Sequence, residues 1–129
     1  MRNLTWLAII TILAACPLTQ PEDFSDCRTS DGDPITIEAG ATITDGVLSV
    51  PVAHGGGCGE HTYAICWPDQ TFMESAPVQV ALEIWHDSGG DTCEAWLSST
   101  LTFDLGPLEA AHSDTYAGDD TLIINIGDD

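Results

Sequence analysis

Residues that can bind a metal ion or form a disulfide are concentrated in two short segments of the chain. The first is 54–61, which reads HGGGCGEH, and the second is 86–93, which reads HDSGGDTC. Together they contain three of the four histidines and two of the five cysteines. Imidazole and thiolate groups are ligands for zinc and copper, and paired thiols form disulfides in oxidising surroundings. Both chemistries are open to these segments if the fold brings them together.

Each segment follows a stretch in which apolar and polar residues alternate. This period of two is typical of a β-strand with one buried face. Each stretch contains an apolar residue at every second position, and His54 and His86 occupy the next such position after the two series. Both side chains are therefore expected on the core side. The two series are Leu48, Val50 and Val52, and Val78, Val80, Leu82 and Ile84.

A simple meander, in which neighbouring strands reverse direction, would bring the two segments to one end of a sheet. A hairpin through the glycine run places His54 beside His61, and the next hairpin returns His86 to the same end. Cys93 begins the strand that follows. The sequence therefore predicts one cluster at a shared rim, made of His54, Cys58, His61, His86 and Cys93 with Asp87 and Asp91.

The cysteines are expected to form disulfides. Apart from Cys16 they are even in number, and four cysteines permit three pairings. The meander favours Cys58 with Cys93, which leaves Cys27 with Cys66. The alternative of Cys58 with Cys66 would close only the hairpin, and Cys66 lies at the far end of its strand.

Two metal sites are alternatives to a purely structural cluster without a cofactor. In one, zinc is bound by two thiolates and two imidazoles, from Cys58, His61, His86 and Cys93. In the other, the disulfide remains and zinc or copper is bound by His54, His61 and His86 with Asp87. Without a metal, the histidines serve as rim residues that bond to loop carbonyls.

The fold class expected from residue 35 onward is all-β. Short runs rich in β-branched and aromatic residues recur between Gly, Pro and Asp clusters, and only Leu108 to Tyr116 suggests a helix. We predict an immunoglobulin-like antiparallel β-sandwich of about seven short strands. Trp85 and Trp96 are out of phase with the aliphatic faces, so they predict either a stacking surface or the core of a second sheet.

The first sixteen residues follow the order typical of a signal peptide. Arg2 precedes an apolar stretch that is well short of the roughly 20 residues of a membrane-spanning helix. The stretch ends in Leu13-Ala14-Ala15-Cys16, which resembles a lipobox. This resemblance implies removal of residues 1–15 and lipidation of Cys16, with 16–34 as a flexible tether and 35–129 as the domain. The alternative is an ordinary secreted protein with an incidental cysteine.

The charge balance excludes some partners. Lys and Arg number 2 against 21 Asp and Glu, for a formal net charge of −19. Such a polyanion repels nucleic-acid phosphates and anionic headgroups, so we expect no nucleic-acid binding and membrane contact only through the lipid. The chain contains no lysine and no serine in a nucleophile-elbow pattern, which argues against catalysis without excluding it.

Three segments of the sequence carry a resemblance to a known family. They are 55–61, which reads GGGCGEH, 86–95, which reads HDSGGDTCEA, and 103–105, which reads FDL. There the chain resembles a group of small bacterial lipoproteins to which no activity is attached. The resemblance implies a place in the cell envelope, periplasmic or surface-exposed. Pro17, with no aspartate after Cys16, resembles outer-membrane sorting if the source is Gram-negative. We expect a non-catalytic module for an envelope or extracellular partner, with a metal-binding protein or small metalloenzyme as the alternative.

Overall fold

The computed structural model describes residue 24, residues 31–117 and residues 121–128, and this part of the chain contains seven strands and one helix. In chain order the elements are β1 (Thr36–Ile37), β2 (Thr42–Thr44), β3 (Val47–Gly56), β4 (Thr62–Cys66), β5 (Val78–Asp87), β6 (Ala95–Asp104), α1 (Gly106–Thr115) and β7 (Leu122–Asp128). The predicted signal peptide, Cys16, Cys27 and most of the predicted tether lie outside the described residues. No described helix has the length and apolar character needed to cross a bilayer.

The first sheet is built around β3. Strand β6 pairs antiparallel with β3 along its whole length, from Val47 opposite Asp104 to Gly56 opposite Ala95. The short strands β1 and β2 pair antiparallel with different parts of β3, on its other edge. This sheet therefore contains two long strands that run in opposite directions between the same two ends of the molecule.

The second sheet is built around β5. Strand β4 pairs antiparallel with β5, and β7 pairs with β5 in parallel, from Val78 opposite Leu122 to Ile84 opposite Asp128. The predicted antiparallel sandwich of about seven strands is confirmed, with this parallel pair as a departure. The parallel pairing is explained by α1. Strand β6 ends in the first sheet, and the chain then crosses through the helix to the second sheet, where β7 begins beside β5 and runs in the same direction.

The simple meander was wrong about sheet membership, although the alternation of direction that it predicted from β3 to β6 is confirmed. Strands β3 and β4 lie in different sheets, and so do β5 and β6. The loops between them consequently cross from one sheet to the other at a single end of the sandwich. Hydrophobic alternation identifies which face of a strand is buried, but it carries no information on which sheet the strand joins.

The core lies between the two sheets and follows the predicted phase. In β5 the aliphatic series Val78, Val80, Leu82 and Ile84 is buried, and in β3 the series Leu48, Val50 and Val52 is buried. The helix closes the end away from the histidines with Leu108, which is fully buried. It begins at Gly106, slightly earlier than predicted, with proline in its first turn, where the missing amide hydrogen costs nothing.

Residues 31–34 lie against the second sheet, although the sequence predicted them as the end of the tether. The amide of Asp33 donates to the carbonyl of His86 at 2.7 Å, and the Asp33 carboxylate accepts from the Ser88 amide at 2.7 Å. Hydrogen bonding by Ser88, first through its side chain and then through its backbone amide, lowers the pKa of Asp33. A β-carbon on Gly32 would lie 3.1 Å from Trp85, so this segment covers that indole.

We predict that Leu82→Ala lowers the free energy of unfolding by about 2–5 kcal/mol, because a buried leucine leaves a cavity between the sheets. The matched control is Ile123→Ala in β7, where the side chain is 40% exposed and a loss of about 1 kcal/mol is expected. Urea denaturation followed by tryptophan fluorescence measures both. Equal losses would contradict the assignment of Leu82 to the core.

Candidate functional site

Three histidines meet at the end of the sandwich where the two sheet-crossing loops lie. His54 comes from β3, His86 comes from β5 in the other sheet, and His61 directly precedes β4. The ring centroids of His54 lie 4.6 Å from His61 and 4.3 Å from His86, and those of His61 and His86 lie 5.0 Å apart. The predicted gathering of these residues is confirmed, but they meet across two sheets instead of along one edge.

Burial of the cluster follows from strand phase. His54 is 3% exposed and His86 is 2% exposed, because each continues the inward-facing series of its strand. His61 lies in the loop beside the exposed stretch 57–60, but its imidazole is only 6% exposed. The three rings are therefore nearly excluded from solvent, and the loop that carries His61 is the side of the cluster nearest to it.

One ring nitrogen of each histidine, its outer nitrogen, donates a hydrogen bond to an oxygen acceptor. His54 Nδ1 donates to the Gly55 carbonyl at 2.9 Å, and His86 Nδ1 donates to the Pro34 carbonyl at 3.2 Å. His61 Nε2 donates to the carboxylate of Asp91 at 2.9 Å. A carbonyl or carboxylate oxygen only accepts, so these contacts fix the hydrogen on the outer nitrogen of every ring.

The other nitrogens face one another or the Tyr63 hydroxyl. His61 Nδ1 lies 2.8 Å from His86 Nε2, and the Tyr63 hydroxyl donates to His54 Nε2 at 2.6 Å. The rings of His61 and His86 are inclined by only 9°, so this pair lies edge to edge, and His54 lies close to both. We call His54 Nε2, His61 Nδ1 and His86 Nε2 the inner nitrogens.

The contact between His61 and His86 requires a shared hydrogen. The 2.8 Å contact between the two inner nitrogens is a hydrogen bond only if one of them carries a hydrogen. Burial, followed by repulsion from His54, lowers the pKa of His86, which favours the neutral form of that ring.

Asp91 links the histidine cluster to the glycine loop. Its Oδ2 accepts hydrogen bonds from the amides of Gly57, Cys58 and Gly59 at 2.9, 2.9 and 3.0 Å, in addition to His61. Its Oδ1 accepts from the Cys93 amide at 3.0 Å. The hydrogen bond from His61, followed by those from the loop amides, holds the pKa of the Asp91 carboxyl far below its usual range.

Asp91, and not Asp87, is the carboxylate that contacts the cluster. Asp87 accepts from the amide of Gly89 at 2.8 Å and so bonds within its own turn. Because His86 points inward, the next residue in the strand points outward. The sequence placed both aspartates at this end, but its spacing alone did not distinguish the one that meets His61.

The glycine run is required by the close approach of the loop to His61 and Asp91. Gly56 has φ of +148°, and a β-carbon there would lie 2.6 Å from His61 Nε2 and 2.9 Å from Asp91 Oδ2. Gly57 has φ of +114°, a conformation that residues with a side chain rarely adopt. The glycines thus allow the backbone amides to surround the carboxylate.

The predicted disulfide between Cys58 and Cys93 is confirmed. It joins the loop that carries His61 to the loop that carries Asp91, across a sequence separation of 35. In this state neither sulfur is a thiolate, so the structure favours the bridge over the predicted zinc site of Cys58, His61, His86 and Cys93. Cys66 is also disulfide-bonded, and its pairing with Cys27 stays a prediction because Cys27 is outside the described residues.

Comparisons with known proteins support the fold. No protein-family model matches the sequence, and no curated protein does. Among solved structures, the chain is similar to a NigD-like immunity protein from Bacteroides caccae ATCC 43185, with a TM-score of 0.50 and 17% sequence identity. The alignment covers 73% of this chain and 43% of the other, so this chain spans less than half the length of its structural neighbour. At this identity, the likeness supports the β-sandwich alone.

We predict that Asp91→Asn destabilises the fold at neutral pH, because the amide keeps the shape of the carboxylate but loses its charge. The folded-state pKa of Asp91 is depressed, so its contribution is complete above the unfolded pKa of about 3.9 and is lost as the pH falls further. The difference between wild type and variant in urea midpoint should therefore be greatest near pH 7 and shrink below pH 4.

The control for this prediction is Asp87→Asn, which removes a carboxylate from the same end without touching His61. Urea midpoints of all three proteins are compared at pH 7, 5, 4 and 3. A constant gap between wild type and Asp91→Asn at every pH, or an equal effect of Asp87→Asn, would contradict the role assigned to Asp91.

Proposed function

We propose that the chain is a lipid-anchored, extracytoplasmic binding module that holds a partner protein in the cell envelope without catalysing a reaction. The anchor is supported by the signal-peptide plan and by the Leu-Ala-Ala-Cys lipobox at Cys16. Two acyl chains or more make such an attachment durable, since each buried methylene contributes about 0.8 kcal/mol. The module itself is the β-sandwich described above.

The observation that carries the binding role is the uncovered side of β6. Among the described residues, no strand pairs with the edge of β6 that lies away from β3. This edge is ten residues long and contains neither proline nor lysine, two devices that usually protect an edge strand from pairing. An extended segment of another protein can add to such an edge through main-chain hydrogen bonds.

The outer face of β6 offers side chains for the same partner. Trp96 lies opposite Gly55 and is 67% exposed, the most exposed large apolar side chain in the described part of the chain. Ser98, Thr100 and Thr102 continue this exposed row along the strand. An amphipathic ring with neighbouring hydroxyls is typical of a protein-contact surface, where tryptophan often contributes a large share of the binding energy.

Charge indicates the kind of partner. A net charge of −19 with a single arginine after Cys16 attracts cationic proteins and repels acidic ones over several ångströms. We therefore propose that the occupant of the β6 edge is an extended strand of a basic envelope or extracellular protein.

Binding is favoured over catalysis by the contacts of the histidine cluster. Its six ring nitrogens meet the carbonyls of Gly55 and Pro34, the Tyr63 hydroxyl, the Asp91 carboxylate and one another. A histidine that activates a serine or cysteine nucleophile is hydrogen-bonded to that side chain. No serine or cysteine side chain is among these contacts.

We predict that Cys16→Ser moves the protein from the membrane fraction to the soluble extracytoplasmic fraction, because the lipid attachment site is lost. Fractionation with immunoblotting measures the distribution, and mass spectrometry of the wild type should show acyl chains on Cys16 at the new N-terminus. Cys66→Ser serves as the control for removal of a cysteine. Equal membrane fractions for wild type and Cys16→Ser would contradict the anchor.

We predict that a photo-crosslinking residue at Thr100, on the outer face of β6, forms a discrete adduct with one basic protein in the intact envelope. The same residue at Ile123, on the exposed part of β7, is the matched control. Adduct yield at Thr100 should fall severalfold when the salt concentration is raised from 0.05 M to 0.5 M, because charge attraction is screened. Equal patterns at both positions would contradict β6 as the binding edge.

A further inference from the structure

The three inner nitrogens of the histidine cluster are arranged as ligands of one metal ion. His54, His61 and His86 each offer one ligand atom, and these atoms all lie within 4.8 Å of one another. Nitrogen ligands of zinc lie about 2.0–2.1 Å from the ion, which separates them by about 3.4 Å in a tetrahedral site. Small shifts of the side chains therefore suffice to surround an ion.

The outer nitrogens already have the partners that metal-bound histidines require. A ligating imidazole usually donates its other N–H to a carboxylate or a backbone carbonyl, which fixes the tautomer and the ring orientation. Here the acceptors are the carbonyls of Gly55 and Pro34 and the carboxylate of Asp91. The three acceptors come from separate parts of the chain, so the arrangement is not the result of a single local turn.

The space between the inner nitrogens requires a positively charged occupant. His61 Nδ1 and His86 Nε2 lie 2.8 Å apart, and their lone pairs would repel each other without a hydrogen between them. In the structure as described, a shared hydrogen satisfies both nitrogens. A metal ion satisfies the same two nitrogens and reaches His54 as well.

The surroundings favour a cation and supply a fourth donor. Asp91 stands behind His61, so the charge of a bound ion is partly balanced by a carboxylate that the loop amides keep in place. The Tyr63 hydroxyl, 2.6 Å from His54 Nε2, is an oxygen donor beside the ligand set. Burial of His54 and His86 excludes water from the other side.

We propose that His54, His61 and His86 bind one divalent transition-metal ion of the zinc or copper class. Neutral imidazole ligands select these ions over calcium and magnesium, which prefer carboxylate, carbonyl and water oxygens. The ligand set is the predicted nitrogen site with Asp91 in place of Asp87, and Asp91 acts by positioning His61. The disulfide keeps the two loops of the site together.

The test uses the full chain, purified in detergent without a tag and stripped of metal. The protein is dialysed against micromolar zinc or copper(II), with millimolar magnesium present to occupy the exposed carboxylates. The expected result is one equivalent of zinc or copper, measured by elemental analysis, in protein that contains no free thiols. The two ions are tested separately, so their relative affinities identify the metal.

Two variants distinguish the site from adventitious binding. His61→Ala should weaken metal binding at least tenfold, because it removes one of three ligands from the less buried position. His112→Ala, which alters the fourth histidine on α1 at the other end of the sandwich, should bind as the wild type does. Circular dichroism compares the folding of both variants with that of the wild type.

The copper(II) complex of the wild type gives a readout that needs no variant. Electron paramagnetic resonance should show hyperfine coupling to three imidazole nitrogens. The proposal is overturned if the wild type binds less than a tenth of an equivalent, or if His61→Ala and the wild type bind equally. A copper(II) spectrum without nitrogen coupling, as expected for oxygen ligands alone, or binding that appears only after reduction of the Cys58–Cys93 bridge, would also overturn it.

Discussion

The carboxylate of Asp91 accepts hydrogen bonds from one imidazole and four backbone amides, and through them it joins the two loops that cross between the sheets. The three successive amides at 57–59 converge on it because the glycines leave room for the approach. The disulfide between Cys58 and Cys93 restrains the same two loops covalently. The position of His61 depends on this anion.

The closed side of the cluster depends on the strands. His54 and His86 are inward-facing because each extends the buried series of its strand by one period, and the sheets then bring the two rings to 4.3 Å. The outer face of β6, by contrast, is exposed from Trp96 to Thr102. The same sandwich can therefore carry a buried site at one end and a binding surface along one edge without conflict between them.

Strand phase and direction were predictable from the sequence, and so was the meeting of the histidines. The alternation in β5 predicted the burial of His86 without any knowledge of its partners, and the reversals of direction predicted the shared end and the Cys58–Cys93 bridge. Sheet membership was not predictable in this way, because a strand with one buried face fits either sheet of a sandwich. The parallel pairing of β7 had no local signal either, since it results from the crossover through α1.

Every histidine of the cluster is held by its outer nitrogen, and the inner nitrogens converge as a result. Long-range proton–nitrogen NMR of the metal-free full chain at neutral pH reports the hydrogen on each ring nitrogen. We expect a hydrogen fixed on Nδ1 of His54 and of His86 and on Nε2 of His61. Rings that exchange between tautomers, or Nε2–H forms that predominate in His54 and His86 as in free histidine, would contradict this arrangement.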